Sequence, residues 1–354
     1  MTHVSVLVLD GERPEARLAL PRLGAAARPD SADDRAAVAA TLRRMGNSLF
    51  PLGRAAQALP YLERARAIVE RLEAEYPDRE SIRSEAANVH KQLSYPERVA
   101  GRIDDSLRDL RRAGDILVRL AADHPGNAEY RARLAEVFSD LGSDLNTAGR
   151  LPEALDAEER ALAIHERLAV DSPANTDYQH MIASHRTAIG WILRDLGRRD
   201  EALRSLALAR EDLERLVADH PDNILFQRQR AQCVAFLGTI EQDLGRRDQA
   251  LKTLELAREL HERLPDEPIG LYNLACIDAQ LSVLVGSDLA GAGGCARGNA
   301  YADEAIAALR RAVAAGYHEA EFLRQDPDLA PLRSRDDFQQ ILLDASFPDD
   351  PFAR

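Results

Sequence analysis

One spacing dominates this sequence: glycines recur every 48 residues along most of its length. They are Gly53, Gly101, Gly149, Gly197 and Gly245. Three other positions keep the same step, and they hold Ala58, Ser106, Ala154, Ala202 and Ala250; then Ala65, Ala113, Ala161, Ala209 and Ala257; then Leu72, Leu120, Leu168, Leu216 and Leu264. Such a chain folds as a stack of similar units, because each unit can bury its apolar face only against its neighbours.

Each unit carries the marks of two helices. Ala202 and Ala209 are two helical turns apart, so they share a face that a neighbouring backbone can approach closely. Prolines that stop a helix recur at the same step, at Pro77, Pro125, Pro173 and Pro221. In the fourth unit the pattern predicts helices over residues 178–195 and 200–219.

Polar residues at the turns are placed to cap these helices. Asn127, Asn175 and Asn223 follow the prolines by two residues and are predicted N-caps of first helices. Asp104, Asp200 and Asp248 follow the glycines by three residues and are predicted N-caps of second helices.

Composition favours an all-α chain and narrows its partners. Hydrophobic residues make up 45% and charged residues 30%, with Ala, Leu, Arg and Glu abundant. The net charge is -13 and basic residues alternate with acidic ones, so we expect no nucleic-acid partner. The apolar run Val4 to Leu9 is too short for a signal peptide or a membrane span, so we expect no membrane partner.

The cysteines argue for a reducing compartment. Cys233, Cys276 and Cys295 are odd in number and far apart, and they indicate neither a disulfide framework nor a zinc site. We therefore expect a cytoplasmic protein.

The recurring small residues resemble the tetratricopeptide repeat. Gly190, Ala202, Leu206 and Ala209 match its motif, and so do the corresponding residues of neighbouring units, except that Glu158 stands at an apolar position. The resemblance implies an all-α fold, an α–α superhelix. The family motif has 34 residues, and the extra 14 here predict about two more turns in each helix.

The ends depart from the repeat. We divide the chain into three parts: a degenerate, partly irregular N-terminal half-repeat over 1–36, five repeats over 37–268, and a degenerate C-terminal repeat with capping helices over 269–354. The role of residues 1–12 is left open. The last part is predicted to hold helices over 271–285 and 302–315 and a short final helix capped by Ser334. Between them Gly291 to Gly298 is interpreted as a flexible Gly-rich insertion, since it lacks the Gly-Lys-Ser/Thr ending of a phosphate-binding loop.

The segment YADEAIAALRRAVAAGY and the tail after it resemble the C-terminal end of tetratricopeptide regions attached to bacterial serine/threonine protein kinases, particularly those of planctomycetes. None of the kinase signature motifs occurs in the sequence. The resemblance therefore implies a docking or regulatory role beside a kinase and not phosphoryl transfer by this chain.

The family resemblance also implies which side chains contact a partner on the concave face. Carried over to this sequence, they are Arg43, Asn47, Lys91, Tyr95, Ser139, Ser143, Thr187, Trp191 and Thr239. Trp191, the single tryptophan, is either a binding hot spot or ordinary packing between adjacent first helices. Arg43 and Lys91 are alternatively solvated charges.

Relatives that grip a C-terminal carboxylate have basic residues where this chain has Glu136 and Asp140, so we expect no free carboxylate ligand. His165 and His261 are equivalent repeat positions, and His180 and His185 do not share a helical face, so we expect no metal and no cofactor.

We therefore expect a protein–protein interaction scaffold without enzymatic activity. The alternative is a regulatory or substrate-docking module of a bacterial serine/threonine kinase system, whose partner is a kinase or its substrate. A helical enzyme would need a pocket that encloses a coupled acid and base.

Overall fold

The computed structural model describes residues 31–50, 54–286 and 292–346. Helices make up most of these residues and no strand occurs among them, which confirms the all-α prediction. The α-helices of the described chain are α1 Ala32–Asn47, α2 Ala55–Glu75, α3 Glu80–Val99, α4 Ile103–Asp123, α5 Ala128–Thr147, α6 Leu151–Asp171, α7 Thr176–Asp195, α8 Arg199–Asp219, α9 Ile224–Asp243, α10 Arg247–Glu262, α11 Pro268–Gly286, α12 Ala292–Ala314, α13 Ala320–Gln325 and α14 Asp336–Ala345. A 3₁₀ helix, Pro327–Leu332, lies between α13 and α14.

Consecutive helices pack in antiparallel pairs, and the pairs stack into a solenoid. In the pairs α3–α4, α5–α6 and α7–α8 the first helix has 20 residues and the second has 21, so each of these pairs is roughly 30 Å long. First helices of neighbouring pairs contact one another more extensively than second helices do. The odd-numbered helices therefore lie on the inner side of the superhelix.

The predicted helix ends agree with the structure to within two residues in the fourth unit, where α7 and α8 cover 176–195 and 199–219. The prolines act as predicted: α2, α4, α6 and α8 each end two residues before one of them. The asparagine caps are also confirmed, since the Asn175 side chain accepts a hydrogen bond from the Asp177 amide at 3.0 Å, and Asn127 and Asn223 do the same in their units.

The recurring glycines end the first helices in a left-handed conformation. Gly101, Gly149, Gly197 and Gly245 have φ between 70° and 76°, which a residue with a Cβ adopts only at a cost. At the first of them, the Arg102 amide donates to the Glu97 carbonyl at 2.8 Å, which closes a Schellman-type turn. Gly53 lies outside the described residues.

The aspartate caps were predicted wrongly. The residues at the N-cap of α4, α8 and α10 are Arg102, Arg198 and Arg246, and none of them makes a side-chain capping bond. Asp104, Asp200 and Asp248 are the second residues of these helices. Inside the first turn their carboxylates interact with the helix dipole and no longer cap a free amide.

Small residues on the first helices allow the paired second helix to come close. A Cβ on Gly190 would lie 2.6 Å from the Leu206 Cγ, and one on Gly238 would lie at the same distance from the Leu254 Cγ. In each of these pairs the leucine fills the space beside the glycine backbone and is fully buried. The repeat therefore encodes a specific helix-to-helix contact as well as a turn.

The C-terminal part differs from its prediction in two ways. The expected helix over 271–285 is present as α11, but α12 begins at Ala292, ten residues earlier than predicted, so the Gly-rich stretch is helical over 292–298 and is not a loop there. A Cβ on Gly298 would lie 2.8 Å from the Ser282 carbonyl oxygen, so glycine is needed for α12 to pack on α11. The N-cap of α14 is Arg335 and not Ser334.

Helix α11 is the only helix of the described chain with the length and hydropathy to cross a membrane. Two thirds of its apolar window, 67%, is buried in the protein, where α11 packs against α10, α12 and the 3₁₀ helix. Burial of this extent is typical of the core helix of a helical domain.

Candidate binding groove

Two adjoining cavities open on the inner side of the superhelix. The central cavity, of about 260 Å³, is formed by α5, α7 and α9, with Ser143, Thr187 and Trp191 in its wall. The C-terminal cavity, of about 830 Å³, is formed by α7, α9, α11 and the segment from Tyr317 to Asp328. Trp191, Gln232 and Phe236 line both cavities, so together they make one continuous groove.

Trp191 lies where the two cavities meet. Its ring centroid is 4.4 Å from that of Phe236 on the next first helix, and the Arg194 guanidinium lies 4.7 Å from the Trp191 ring centroid on a cation–π contact. The side chain is only half-buried. The packing interpretation of Trp191 is confirmed, because the side chain packs on Phe236 of the adjacent first helix. Trp191 also forms part of the groove wall, and its role as a binding hot spot stays a prediction.

The two basic candidates further towards the N-terminus are already paired. Arg43 Nε lies 2.8 Å from the Glu85 carboxylate on the next first helix. Lys91 forms an ion pair with Glu136 and lies 3.9 Å from the Asp140 carboxylate. Because Glu85 pairs with Arg43, and Glu136 and Asp140 neutralise Lys91, neither of these two side chains is a free cation for a ligand carboxylate.

The remaining candidate residues are spread along the inner side. Tyr95 is exposed and makes an edge contact with Phe50, at 5.5 Å between centroids. Ser143 is exposed and accepts a hydrogen bond from Arg98 at 3.2 Å, while Ser139 and Asn47 are half-buried. Thr239 is only 4% exposed, and its hydroxyl donates to Gln280 at 3.0 Å, so it holds α9 against α11 and offers little surface to a partner.

A buried polar chain lies under the central cavity, and sequence analysis missed it. Glu158 lies 2.8 Å from His185 Nδ1, and His185 Nε2 lies 3.0 Å from His165 Nδ1. Burial raises the pKa of Glu158, and burial together with the neighbouring His185 lowers the pKa of His165 to about 4. The signal in the sequence was Glu158 at an apolar repeat position, but its partners are 7 and 27 residues away, and only the packing of α6 on α7 brings all three together.

The C-terminal cavity combines aromatic rings with carboxylates. Tyr272 and Tyr317 stack with their centroids 5.0 Å apart, and the Tyr272 hydroxyl donates to the buried Asp326. Asp326 also accepts from the Asp328 amide at 2.9 Å. Burial, and then the charge of Asp326, raises the pKa of Asp328 to about 6. Sequence analysis missed this part of the groove because Tyr317 to Asp328 lies outside the repeat.

Among the described residues, no group of three or more His, Cys, Asp or Glu side chains is arranged to hold a metal ion. Cys233 and Cys276 are buried free thiols. Burial raises the pKa of Cys233 to about 12, which disfavours the reactive thiolate. No catalytic domain is evident in the part of the chain that the structure describes.

Comparison with known proteins supports the same architecture. The family model described as "Tetratricopeptide repeat" matches residues 134–174 and 182–222, two stretches that begin one 48-residue step apart. A search of curated proteins found no match.

Two solved structures are similar in fold. BtubC (BKLC) from P. vanneervenii is 18% identical with a TM-score of 0.53, over 73% of this chain and 91% of BtubC. The apo form of RapI is 16% identical with a TM-score of 0.58, over 89% of this chain and 76% of RapI. At these identities the similarity concerns the fold alone. Together with the family match over two stretches and the stacked helix pairs, it supports an architecture of tetratricopeptide-like repeats.

Proposed function

We propose that this chain is an interaction scaffold that binds a peptide segment of a partner protein in the groove around Trp191. The tetratricopeptide fold supports a protein partner in general. The observation that carries the proposal is the meeting of two cavities at a half-exposed tryptophan, since aromatic side chains in such positions are frequent binding hot spots.

The shape of the groove favours an extended segment. The two cavities adjoin along the superhelix axis, across α5, α7, α9 and α11. Their walls mix apolar rings with Ser143, Gln229 and Gln232, so an occupant can bury side chains and hydrogen-bond its backbone. This is the composition expected of a recognition site for a polypeptide.

Site-specific photocrosslinking in cells of the native host tests the proposal. A photoreactive phenylalanine analogue replaces Trp191 in one variant and Val170 in the other. Val170 is 72% exposed on the second helix α6 and lines neither cavity. We expect a discrete protein adduct from position 191 and none from position 170. Equal labelling at the two positions, or no adduct at position 191, would contradict binding in the groove.

We propose as the more specific alternative that the partner is a serine/threonine kinase or a kinase substrate. Its support is the resemblance of residues 271–354 to kinase-attached tetratricopeptide regions. Mass spectrometry of the adduct from position 191 decides: a kinase domain or a protein phosphorylated by one supports this alternative, and a partner with neither property contradicts it. We also propose a cytoplasmic location, which the buried free thiols of Cys233 and Cys276 support.

A further inference from the structure

The C-terminal cavity carries more negative charge than its own basic groups neutralise. Its carboxylates are Asp195, Glu319, Asp326 and Asp328. None of these four forms an ion pair with another described residue. Arg194 is the one guanidinium among the described lining residues, and its Nε already donates to Asp243 at 2.6 Å. One guanidinium, whose charge also acts on Asp195 and Asp328, therefore faces four carboxylates, so a cation that enters this cavity meets excess negative charge.

Aromatic rings line the same space. Phe322 is 54% exposed and its ring centroid lies 5.7 Å from that of Tyr272, which stacks on Tyr317. The Trp191 and Phe236 rings lie at the border with the central cavity. Ring faces attract cations, and they attract a flat guanidinium most effectively when it is partly removed from water.

A buried histidine in this cavity has no hydrogen-bond partner among the described residues. His261 lines the cavity and is 5% exposed, yet neither of its ring nitrogens is bonded to another described group. Burial lowers the pKa of His261 to about 4, so the ring is neutral near pH 7 and has one free donor and one free acceptor. Leaving such groups buried and unpaired is unfavourable, because they have lost their hydrogen bonds to water. The equivalent His165 avoids this cost through its contact with His185, whereas the position equivalent to His185 is Leu281 here.

We propose that the C-terminal cavity binds an arginine side chain of the partner's peptide segment, held between the aromatic rings and the unpaired carboxylates, with His261 accepting one of its hydrogen bonds. This inference rests on the proposed function, because it specifies what the groove recognises. Arginine fits better than lysine, since its flat fork both stacks on rings and donates to carboxylates on several sides. Arg194 over the Trp191 ring shows the same chemistry a few ångströms away.

A peptide is a better occupant than a free cation. The cavity volume of about 830 Å³ leaves room for residues that flank the arginine, and the cavity is continuous with the central cavity through Trp191 and Phe236. A polypeptide can therefore place its arginine among the carboxylates and continue towards Thr187 and Ser143.

The test selects peptides from a displayed random dodecapeptide library on the full chain and measures their binding through Trp191 emission, which reports on both cavities because Trp191 is the single tryptophan. We expect the selected peptides to share an arginine whose replacement by alanine weakens binding about 10- to 100-fold, and whose replacement by lysine weakens it less. In the Asp195→Asn/Asp328→Asn double variant the alanine effect should shrink to less than about threefold.

Two controls separate folding and charge from recognition. Asp222→Asn removes an exposed carboxylate in the turn between α8 and α9, outside both cavities, and should leave the arginine preference intact. Thermal unfolding of each variant shows whether it folds as the wild type does. If the double variant unfolds at a lower temperature than the wild type, Glu319→Gln, at an exposed position, is used in its place.

The outcomes distinguish the inference from the proposed function. Peptides that change Trp191 emission without an arginine preference, or an arginine preference that survives in the double variant, overturn the inference and leave the scaffold intact. Acetyl-arginine amide that binds as tightly as the peptide overturns the peptide as occupant. If no peptide alters Trp191 emission, both the inference and the peptide-binding function are contradicted.

Discussion

Glu158 occupies a repeat position that the other units give to leucine. The equivalent residues are Leu62, Leu110, Leu206 and Leu254, all fully buried. Glu158 is also buried, at 4% exposure, although it borders the central cavity, and its carboxylate lies beside the backbone of Gly142. A buried carboxyl group is tolerated here because His185 bonds to it, at a position where the neighbouring units have Val137 and Cys233.

The contact between Glu158 and His185 predicts that the effects of their substitutions on the free energy of unfolding are strongly non-additive. We expect His185→Val to lower the free energy of unfolding by about 2–4 kcal/mol, because it leaves Glu158 buried without a partner. Glu158→Leu/His185→Val restores the residues that other units use, and we expect its stability to equal or exceed that of the wild type. Urea unfolding followed by circular dichroism measures both values.

The matched control is the single variant Glu158→Leu, which completes a double-mutant cycle with the two variants above. It fills the space beside Gly142 but leaves His185 Nδ1 without its hydrogen bond, so its stability should fall below that of the double variant. Additive effects of the two substitutions would show that Glu158 and His185 do not stabilise each other.

The burial of His261 predicts that this one residue makes the unfolding free energy depend on pH. Burial lowers its pKa from the ordinary value of 6.5 to about 4 in the folded chain. As the pH falls from 6.5 towards 4, His261 binds a proton in the unfolded chain but stays neutral in the folded chain. The unfolding free energy therefore decreases over this pH range. Relative to His261→Leu, which has no ionisable group there, the wild type should lose on the order of 3 kcal/mol of unfolding free energy.

The comparison with the variant is essential because other groups titrate in the opposite sense. Burial raises the pKa of Glu97 and of Asp278 to about 7, and such carboxyl groups stabilise the folded chain as the pH falls. Their contribution cancels in the difference between wild type and His261→Leu. A difference that stays constant from neutral pH to pH about 4 would contradict the burial of an uncharged His261.

At the scale of the helices, the turns are specified by glycines with a left-handed backbone. Gly197 has φ of 76°, and no atom outside its neighbourhood lies within 4 Å of a Cβ built on it. We expect Gly197→Ala to lower the unfolding free energy by about 1 kcal/mol through backbone strain alone. Urea titration measures the loss.

Gly126 provides the matched control. It also has open space around it, but its φ is not in the left-handed range. Gly126→Ala should leave stability unchanged or raise it slightly, since alanine restricts the unfolded chain more than glycine does. Equal losses at Gly126 and Gly197 would contradict backbone strain as the cause, since only Gly197 has a left-handed backbone.

Helix ends could be predicted from the sequence where one local interaction decides them. Asn175 caps α7 by a bond to an amide two residues ahead, and Pro173 stops the preceding helix through its own ring. Asp200 was predicted as a cap but lies two residues past the N-cap Arg198, inside the first turn, because the glycine turn sets where α8 begins. The start of α12 could not be predicted, because it depends on Gly298 meeting Ser282 on another helix.

At the scale of the whole molecule, periodicity predicted the solenoid. The family resemblance proposed Thr187 and Trp191 as contact residues, and both line the central cavity, while their contact with a partner stays a prediction. Periodicity says nothing of the C-terminal cavity, since Phe322 and Asp328 come from a segment that does not repeat. Their position depends on the packing of the 3₁₀ helix against α11, a tertiary contact without a local signal. The repeating helix pairs were therefore predictable, and the C-terminal cavity was not.

The turn glycines and the Gly–Leu contacts between paired helices recur every 48 residues, and this recurrence restricts how the length of such a protein can change in evolution. A duplication or deletion of one complete helix pair would leave each Gly–Leu contact and each left-handed turn in place, while an insertion of any other length would disrupt the pair that received it. Homologues of this protein should accordingly differ in length by multiples of 48 residues. The C-terminal cavity should be the same in all of them.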